Sequence, residues 1–285
     1  MLKEYYQLTK PERTLANVIT ALAGYLFASR WHVDWPVLLA LLIGSTLIIA
    51  SACVLNNLID RDLDKKMVRT KKRALVTGRI PARHAGVFAA TLGLVGFWAL
   101  AYTNWLTFCV GALAGFVGYV ALYDVAKRKS VWGTLVGTIP GGASLVAGYT
   151  AVTGRLDVAA WLLFIIMAAW QMAHFYAIAI YRLKDYQKAG VPVWPAKYGV
   201  ANTKVQIFLF VAAFVAANAL LAVSGHVKYS YLIVMTLVGG YWYWRAVQGF
   251  AKKVDDEAWA RGMFGVSLVV LLVFAGVLTV GPILS

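Results

Sequence analysis

Apolar runs of bilayer length recur along the whole chain, and this one feature removes most folds from consideration. A helix that crosses a membrane needs about 20 predominantly apolar residues. Lipid satisfies no backbone polar group, so runs of that length have to close their hydrogen bonds internally, as helices do. Read by run length and by helix breakers, helices are expected near residues 14–30, 36–56, 84–103, 105–123, 131–150, 157–181, 203–224, 229–249 and 262–283. The chain is 61% hydrophobic and 14% charged, against roughly 45–50% and about 25% in soluble domains. Too few charges remain to coat a water-facing surface. The expected fold is therefore an all-α membrane protein of nine transmembrane helices, one integral domain over residues 1–285. The same balance excludes a disordered chain, a disulfide scaffold and a soluble nucleic-acid binder, despite a formal net charge of +15.

Charge placement tests the count independently, because inward-facing loops of membrane proteins carry an excess of Lys and Arg. With the N-terminus inside, 24 of the 27 basic residues fall in the tail and in or beside the loops after spans two, four, six and eight. Only Arg30, Arg155 and Lys228 lie on the other side. A miscount by one span would mix the two classes, so the expected topology has its N-terminus inside and its C-terminus outside. Of the acids, only Asp34 and Asp157 fall outside. Basic loops satisfy the orientation rule and touch anionic membrane lipid by themselves. Carboxylates set among them are not required by it, so chemistry is expected at the inner face.

Cys53 and Cys109 both sit in apolar runs, without metal-ligand spacing or the paired pattern of a secreted scaffold, and no CxxCH is present. Lys3, Glu4, Lys10, Pro11, Glu12 and Arg13 precede the first run, and Ala28-Ser29 makes a poor cleavage site, so the first span is expected to be retained.

Span two runs into Asn56-Asn57-Leu58-Ile59-Asp60-Arg61-Asp62-Leu63-Asp64. On a continuing helix Asn56, Asp60 and Asp64 share one face and Asp62 points away. Asp62 is explained by an ordinary surface pair with Lys66, four residues on. The same step from Asp60 reaches another acid, so that explanation fails for Asp60 and Asp64. Two carboxylates one turn apart repel unless a cation lies between them. Hard oxygen ligands suit Mg²⁺, which takes one or two protein carboxylates, keeps several waters and completes its shell from substrate phosphates. The Asn57 carbonyl would add an oxygen. Arg69 and Arg73, again four apart, present planar donors to phosphate.

A second inner loop, after span six, holds Arg182, Lys184, Asp185 and Lys188. The tripeptide Ala23-Gly24-Tyr25 recurs as Ala147-Gly148-Tyr149, an offset that places Asp60 over Lys184, beside Asp185. Such an echo suggests matching loops in two halves of a bundle. Within span six, Gln171 and His174 are polar groups of the kind that face a bundle interior or a cavity, as satisfied packing or as substrate contacts. His32, His84 and His226 sit near helix ends, where a bland role suffices.

The string from Asn56 to Asp64 resembles the NDxxDxxxD motif of the UbiA superfamily of intramembrane prenyltransferases, with Asn57 in place of the first acid. Lys10-Pro11 with Asn17, Arg69-Thr70 with Arg73, and Lys127-Arg128 with Gly133-Thr134-Leu135 and Gly137 are similar to the branch that farnesylates haem. So are Trp170-Gln171-Met172 with His174-Phe175, Lys184-Asp185-Tyr186 through Gly190 and Pro192, and Ala260-Arg261 with Phe264 and Ser267. Ala74, Asp124, Ser144-Leu145 and Ala173 depart from that branch's frequent choices.

This resemblance implies a bundle whose cavity opens to the membrane and whose polar cap holds Mg²⁺ and diphosphate. The implied reaction joins the farnesyl group of farnesyl diphosphate to a vinyl group of haem B, with water supplying a hydroxyl, to give haem O. Haem B is then a substrate and Mg²⁺ the cofactor. It implies catalytic roles for Asp60, Asp64, Asp185 and His174, metal ligation by Asn57, Asp60 and Asp64, and substrate contacts from Asn56, Arg69, Arg73, Tyr123, Lys127, Arg128, Arg182 and Lys184. It further implies a bacterial-type inner membrane, an active site toward the cytoplasm, and handover of product to a haem A synthase or to terminal oxidase assembly.

Elementary chemistry agrees. Breaking a carbon–diphosphate bond builds negative charge on the leaving group, which Mg²⁺ and fixed cations stabilise. The allylic cation left behind is stabilised by aromatic faces, by about 0.5 to 2 kcal/mol each, with Tyr119, Tyr123, Phe175 and Tyr176 as candidates. His174 either contacts the porphyrin or manages a proton. Two rivals are a UbiA-type transferase for an aromatic or quinone precursor and a transporter of an anionic solute. The transporter should carry charges or helix breakers near mid-span, whereas most charges here lie at one interface.

Overall fold

The computed structural model describes residues 2–67 and 70–281, and all regular structure among them is helical. In chain order the elements are α1 (Leu2–Leu8), α2 (Pro11–Ser29), α3 (Trp35–Ile59), α4 (Arg61–Lys66), α5 (Ala82–Ala101) and α6 (Trp105–Cys109). A π-helix, π1 (Val110–Tyr123), continues α6 and runs on into α7 (Asp124–Lys129). Then follow α8 (Gly133–Thr153), α9 (Val158–Tyr181), α10 (Leu183–Ala189), α11 (Trp194–Val223), α12 (Tyr229–Gln248) and α13 (Asp256–Val280). The long rods coincide with the apolar segments expected from the sequence. Among the described residues, seven of them are long and apolar enough to cross a membrane. The chain is therefore an all-α, multi-pass integral membrane protein. Helices α2 and α12 are similar in length but more polar. The first opens on Glu12 and Arg13, and the second carries Tyr229, Tyr231, Tyr241, Tyr243 and Arg245, residue types that favour the membrane interface.

Helix starts follow local chemistry. Asp34, Asn104, Asp157 and Asp255 accept backbone N–H groups at the first turns of α3, α6, α9 and α13. The cap at Asp255 is why α13 begins before the apolar run that announced it. Helix α11 likewise starts at Trp194, with Pro195 in its first turn, and bends at Gly199, whose φ of 82° suits glycine. Side chains such as Ile166, Phe214, Trp242 and Phe274 close the core between α9, α11, α12 and α13, while Leu94, Trp98 and Leu237 point outward.

The repeated tripeptide marks a helix seam. A Cβ on Gly24 of α2 would stand 2.1 Å from the Leu145 carbonyl oxygen of α8, and one on Gly148 would stand 1.9 Å from the Ala21 carbonyl oxygen. Only glycine lets two backbones approach so closely. Beside these glycines, Tyr25 donates its hydroxyl to the Asp34 backbone carbonyl at 2.9 Å and Tyr149 donates to the Asp157 carboxylate at 2.8 Å. The two aspartates cap α3 and α9. The α2–α3 and α8–α9 hairpins are thus built alike, and their far ends deliver α4 and α10 side by side.

Candidate active site

At the end of α3 the helical ladder survives the break into α4: Asp60 N–H donates to Asn56 O at 2.9 Å and Asp64 N–H to Asp60 O at 2.8 Å. Asn56, Asp60 and Asp64 therefore stack on one face, and with Asn57 they are buried. Asp62 points into solvent and pairs with Lys65 at 2.8 Å rather than with Lys66. That exposed carboxyl is held below the usual range by the hydrogen bond and charge of Lys65.

The two buried carboxylates are not bare. Lys127 Nζ lies 2.7 Å from Asp60 Oδ2, Arg128 Nη2 lies 2.6 Å from Asp60 Oδ1, and Arg73 Nη1 lies 2.5 Å from Asp64 Oδ2. These are three of the cations expected to hold phosphate, and here they hold the carboxylates. Arg69 lies outside the described residues. Asn56 is committed at both ends of its amide: Oδ1 accepts from Lys10, and Nδ2 donates to Asp124 Oδ1 at 2.8 Å. It therefore links Lys10 to Asp124 and leaves no free amide group for substrate. Asn57 donates Nδ2 to Leu8 O at 2.9 Å, and its Oδ1 is buried without a partner.

Lys10, Arg13 and Asp124 are the residues that reading the sequence passed over as site groups. Lys10 and Arg13 look like orientation charges in the tail, but the fold brings Lys10 onto Asn56 and Arg13 into the electrostatic reach of Tyr119 and Tyr123. Burial pushes the Lys10 ammonium down to about 7. Asp124 is almost fully buried; its Oδ1 also accepts from Lys127, and its Oδ2 has no partner. An acid at the end of an apolar run, three residues before a lysine, was the signal available for it.

The second motif arrives as α10. Asp185 is half-buried and has no ion pair among the described residues, Lys184 is exposed, and Arg182 lies over the Tyr181 ring at 5.3 Å. His174, on α9, stacks on Trp170 with centroids 4.7 Å apart, and its Nδ1 is 2.6 Å from Ser267 Oγ. Ser267 gives its own proton to Phe264 O at 2.6 Å. With that proton committed, Ser267 Oγ accepts from His174 Nδ1–H, which leaves Nε2 as the ring nitrogen turned to other partners. Tyr119 and Tyr123 stack at 5.4 Å, with Lys127 5.1 Å from the Tyr123 centroid. Tyr123 ends π1, a turn type rare in proteins and frequent at functional sites. Tyr176 is a core residue, 1% exposed and packed near Trp194 and Phe210. Gln171 donates to Met167 O at 3.1 Å.

Among the described residues no three His, Cys, Asp or Glu side chains converge as a metal cluster. A cation here would take Asp60 and Asp64 and find further oxygens elsewhere, which is the habit of Mg²⁺ with a phosphate substrate. The unpartnered Asn57 oxygen fits the same hard-donor set. Charge matches as well: two carboxylates balance a dication, and Arg73, Lys127 and Arg128 balance a diphosphate.

Known proteins share this architecture. The solved digeranylgeranylglyceryl phosphate synthase superposes with a TM-score of 0.84 at 19% identity, covering 99% of this chain and 98% of that one. A UbiA homologue from Archaeoglobus fulgidus bound to GPP and Mg²⁺ gives 0.72 at 16% identity, covering 97% and 99%. In sequence, the protoheme IX farnesyltransferase of Pectobacterium carotovorum subsp. carotovorum is 44% identical over 278 residues, 95% of this chain and 92% of that protein. Protoheme IX farnesyltransferase 2 of Chromobacterium violaceum is 46% identical over 272 residues, 94% and 89%. The UbiA prenyltransferase family model matches residues 17–279, and with both carboxylate-bearing ends in place the chain belongs to that family.

Proposed function

We propose that the chain transfers the farnesyl group of farnesyl diphosphate to a vinyl group of haem B, with addition of water, giving haem O and diphosphate. The observation that carries the chemistry is the ladder of buried Asp60 and Asp64 faced by Lys127, Arg128 and Arg73. The choice of substrates rests on the near full-length similarity to proteins named protoheme IX farnesyltransferase.

Asp60 and Asp64, with Asn57, are assigned to Mg²⁺. The metal, when bound, supplies positive charge to the departing diphosphate. With Asp60 and Asp64 holding the metal, Lys127, Arg128 and Arg73 would be available to phosphate oxygens; Arg182 and Lys184 are assigned to the same substrate, and Arg69 is assigned to it on its place in the sequence alone. Each cation then meets charge as it develops on the leaving group. The Tyr119–Tyr123 stack presents π-faces to an allylic cation. Asp185 is assigned to the second carboxylate-bearing end beside α4. His174, with Nδ1–H committed to Ser267, is assigned to the porphyrin side, where Nε2 would take the proton that water sheds as it adds.

The proposed setting is a bacterial inner membrane, with nine spans, the N-terminus inside and the site toward the cytoplasm; a haem A synthase or terminal oxidase assembly receives the product. Purified protein given haem B, farnesyl diphosphate and Mg²⁺ should yield a porphyrin heavier by farnesyl plus water. A farnesylated quinone precursor in a mixed-substrate assay, with haem B unchanged, would refute the assignment.

A further inference from the structure

A groove of about 710 Å³ runs between α12 and α13, lined by Leu237, Tyr241, Gly265 and Val269 and closed at one end by Arg245 and Gly262. It lies on α12 and α13, not on the helices that carry Asp60 and Asp64, and its origin is legible. Gly265 has no heavy atom within 4 Å of where a Cβ would be, so the missing side chain leaves the floor open. At Gly262 a Cβ would meet Arg245 Nη2 at 2.8 Å, so the guanidinium lies across that glycine, inserted between the two helices.

Arg245 has no carboxylate partner within ion-pair distance among the described residues. Its Nη1 donates to Gln248 Oε1 at 3.0 Å, and its Nε is buried with no acceptor. The nearby acids are already engaged. Asp255 caps α13, Asp256 pairs with Lys204, and Glu257 pairs with Arg261 at 2.6 Å. Lys252 and Lys253, in the α12–α13 connection, are exposed and have no ion pair among the described residues. A charged group set into a spanning bundle is costly unless something pairs it. Arg245, half-buried in the last turn of α12 with its Nε unpartnered, would be paired by an anion carrying an apolar body that fits the groove.

We infer that the α12–α13 groove is a binding site for an anionic phospholipid, its acyl chain along Leu237, Gly265 and Val269 and its phosphate on Arg245. Lys252 and Lys253 extend the positive end toward the headgroup. Basic recesses between spanning helices at the inner face bind acidic headgroups for this reason. The site is independent of the reaction assigned above, so either assignment can fail without the other.

The test is native mass spectrometry of the full chain released from detergent micelles containing equal phosphatidylglycerol and phosphatidylcholine of matched acyl chains. The wild type should retain phosphatidylglycerol in preference. Arg245→Gln should cut that preference about fivefold, the worth of one interfacial cation, and Arg245→Lys should restore part of it. Gly265→Leu, which meets no protein atom at Cβ, should reduce retention of both lipids alike. An unchanged preference in Arg245→Gln would overturn the inference. So would a preference that vanishes in Lys252→Gln/Lys253→Gln while Arg245→Gln is silent, or phosphatidylglycerol displaced by haem B with the same dependence on Arg245.

Discussion

The Lys127 ammonium is shared between Asp60 and Asp124, and that sharing decides where it goes when Asp60 is drawn to a cation. Asp124 would remain as its second partner and hold it at the rim, on the side proposed for diphosphate. Asp124→Asn should therefore weaken pyrophosphate binding in wild-type protein and have little further effect on top of Lys127→Met. A double-mutant cycle by calorimetry should return a coupling of about 0.5–3 kcal/mol; additive losses would mean that Asp124 acts by another route. Lys10 makes a second residue-scale prediction. With its ammonium lowered to about 7 by burial, it is charged below that pH both free and beside an anion. Above it, anion binding has to take up a proton. Pyrophosphate affinity should therefore fall as pH rises above about 7, by at most about tenfold per unit. Lys10→Gln should flatten that part of the profile, and an identical slope in the two proteins would refute it. The shared face of Asn56, Asp60 and Asp64 and the outward turn of Asp62 were legible because a helix repeats by four. Asp124, Lys10 and the double commitment of Asn56 were not, since each depends on which rods meet at the inner end.

At the scale of elements, the tripeptide echo had more content than its length suggests. Gly24 and Gly148 are the reciprocal contacts that hold α2 and α8 backbone to backbone. Gly148→Ala places a methyl group 1.9 Å from a backbone oxygen, where no side-chain rotation relieves it. Overpacking of this kind costs about 1–3 kcal/mol, and thermal unfolding in detergent should show the loss. Gly276→Ala, in open space on α13, should leave stability unchanged and serves as the control. Equal melting of both variants would show that the α2–α8 seam does not depend on Gly148. The periodicity of apolar runs placed the rods but not their ends, which caps at Asp255 and a bend at Gly199 determine. Nor did it announce π1, because a turn widened by one residue has the same composition as an α-helix.

For the whole molecule, orientation is the property that joins chemistry to the membrane. In a background with Cys53 and Cys109 replaced, Arg155→Cys and Lys228→Cys should react with an impermeant maleimide added outside spheroplasts. Lys72→Cys and Lys252→Cys should react only after lysis. Labelling of all four from outside would overturn the inside placement of the site. The fold class was legible as a whole because lipid leaves a chain of this composition few alternatives, and the family was legible because its polar motifs lie at one interface.

If Asp60 and Asp64 carry the cation that lets diphosphate leave, haem O formation has to depend on Mg²⁺ through these two side chains. That dependence should be measured by product mass in wild type, Asp60→Asn, Asp64→Asn and the charge-preserving Asp64→Glu, with folding checked in each. Wild type should show saturable Mg²⁺ dependence. Both Asn variants should lose about 100-fold or more in rate, with partial return in Asp64→Glu at raised Mg²⁺. Wild-type turnover in both Asn variants at unchanged Mg²⁺ dependence would contradict it.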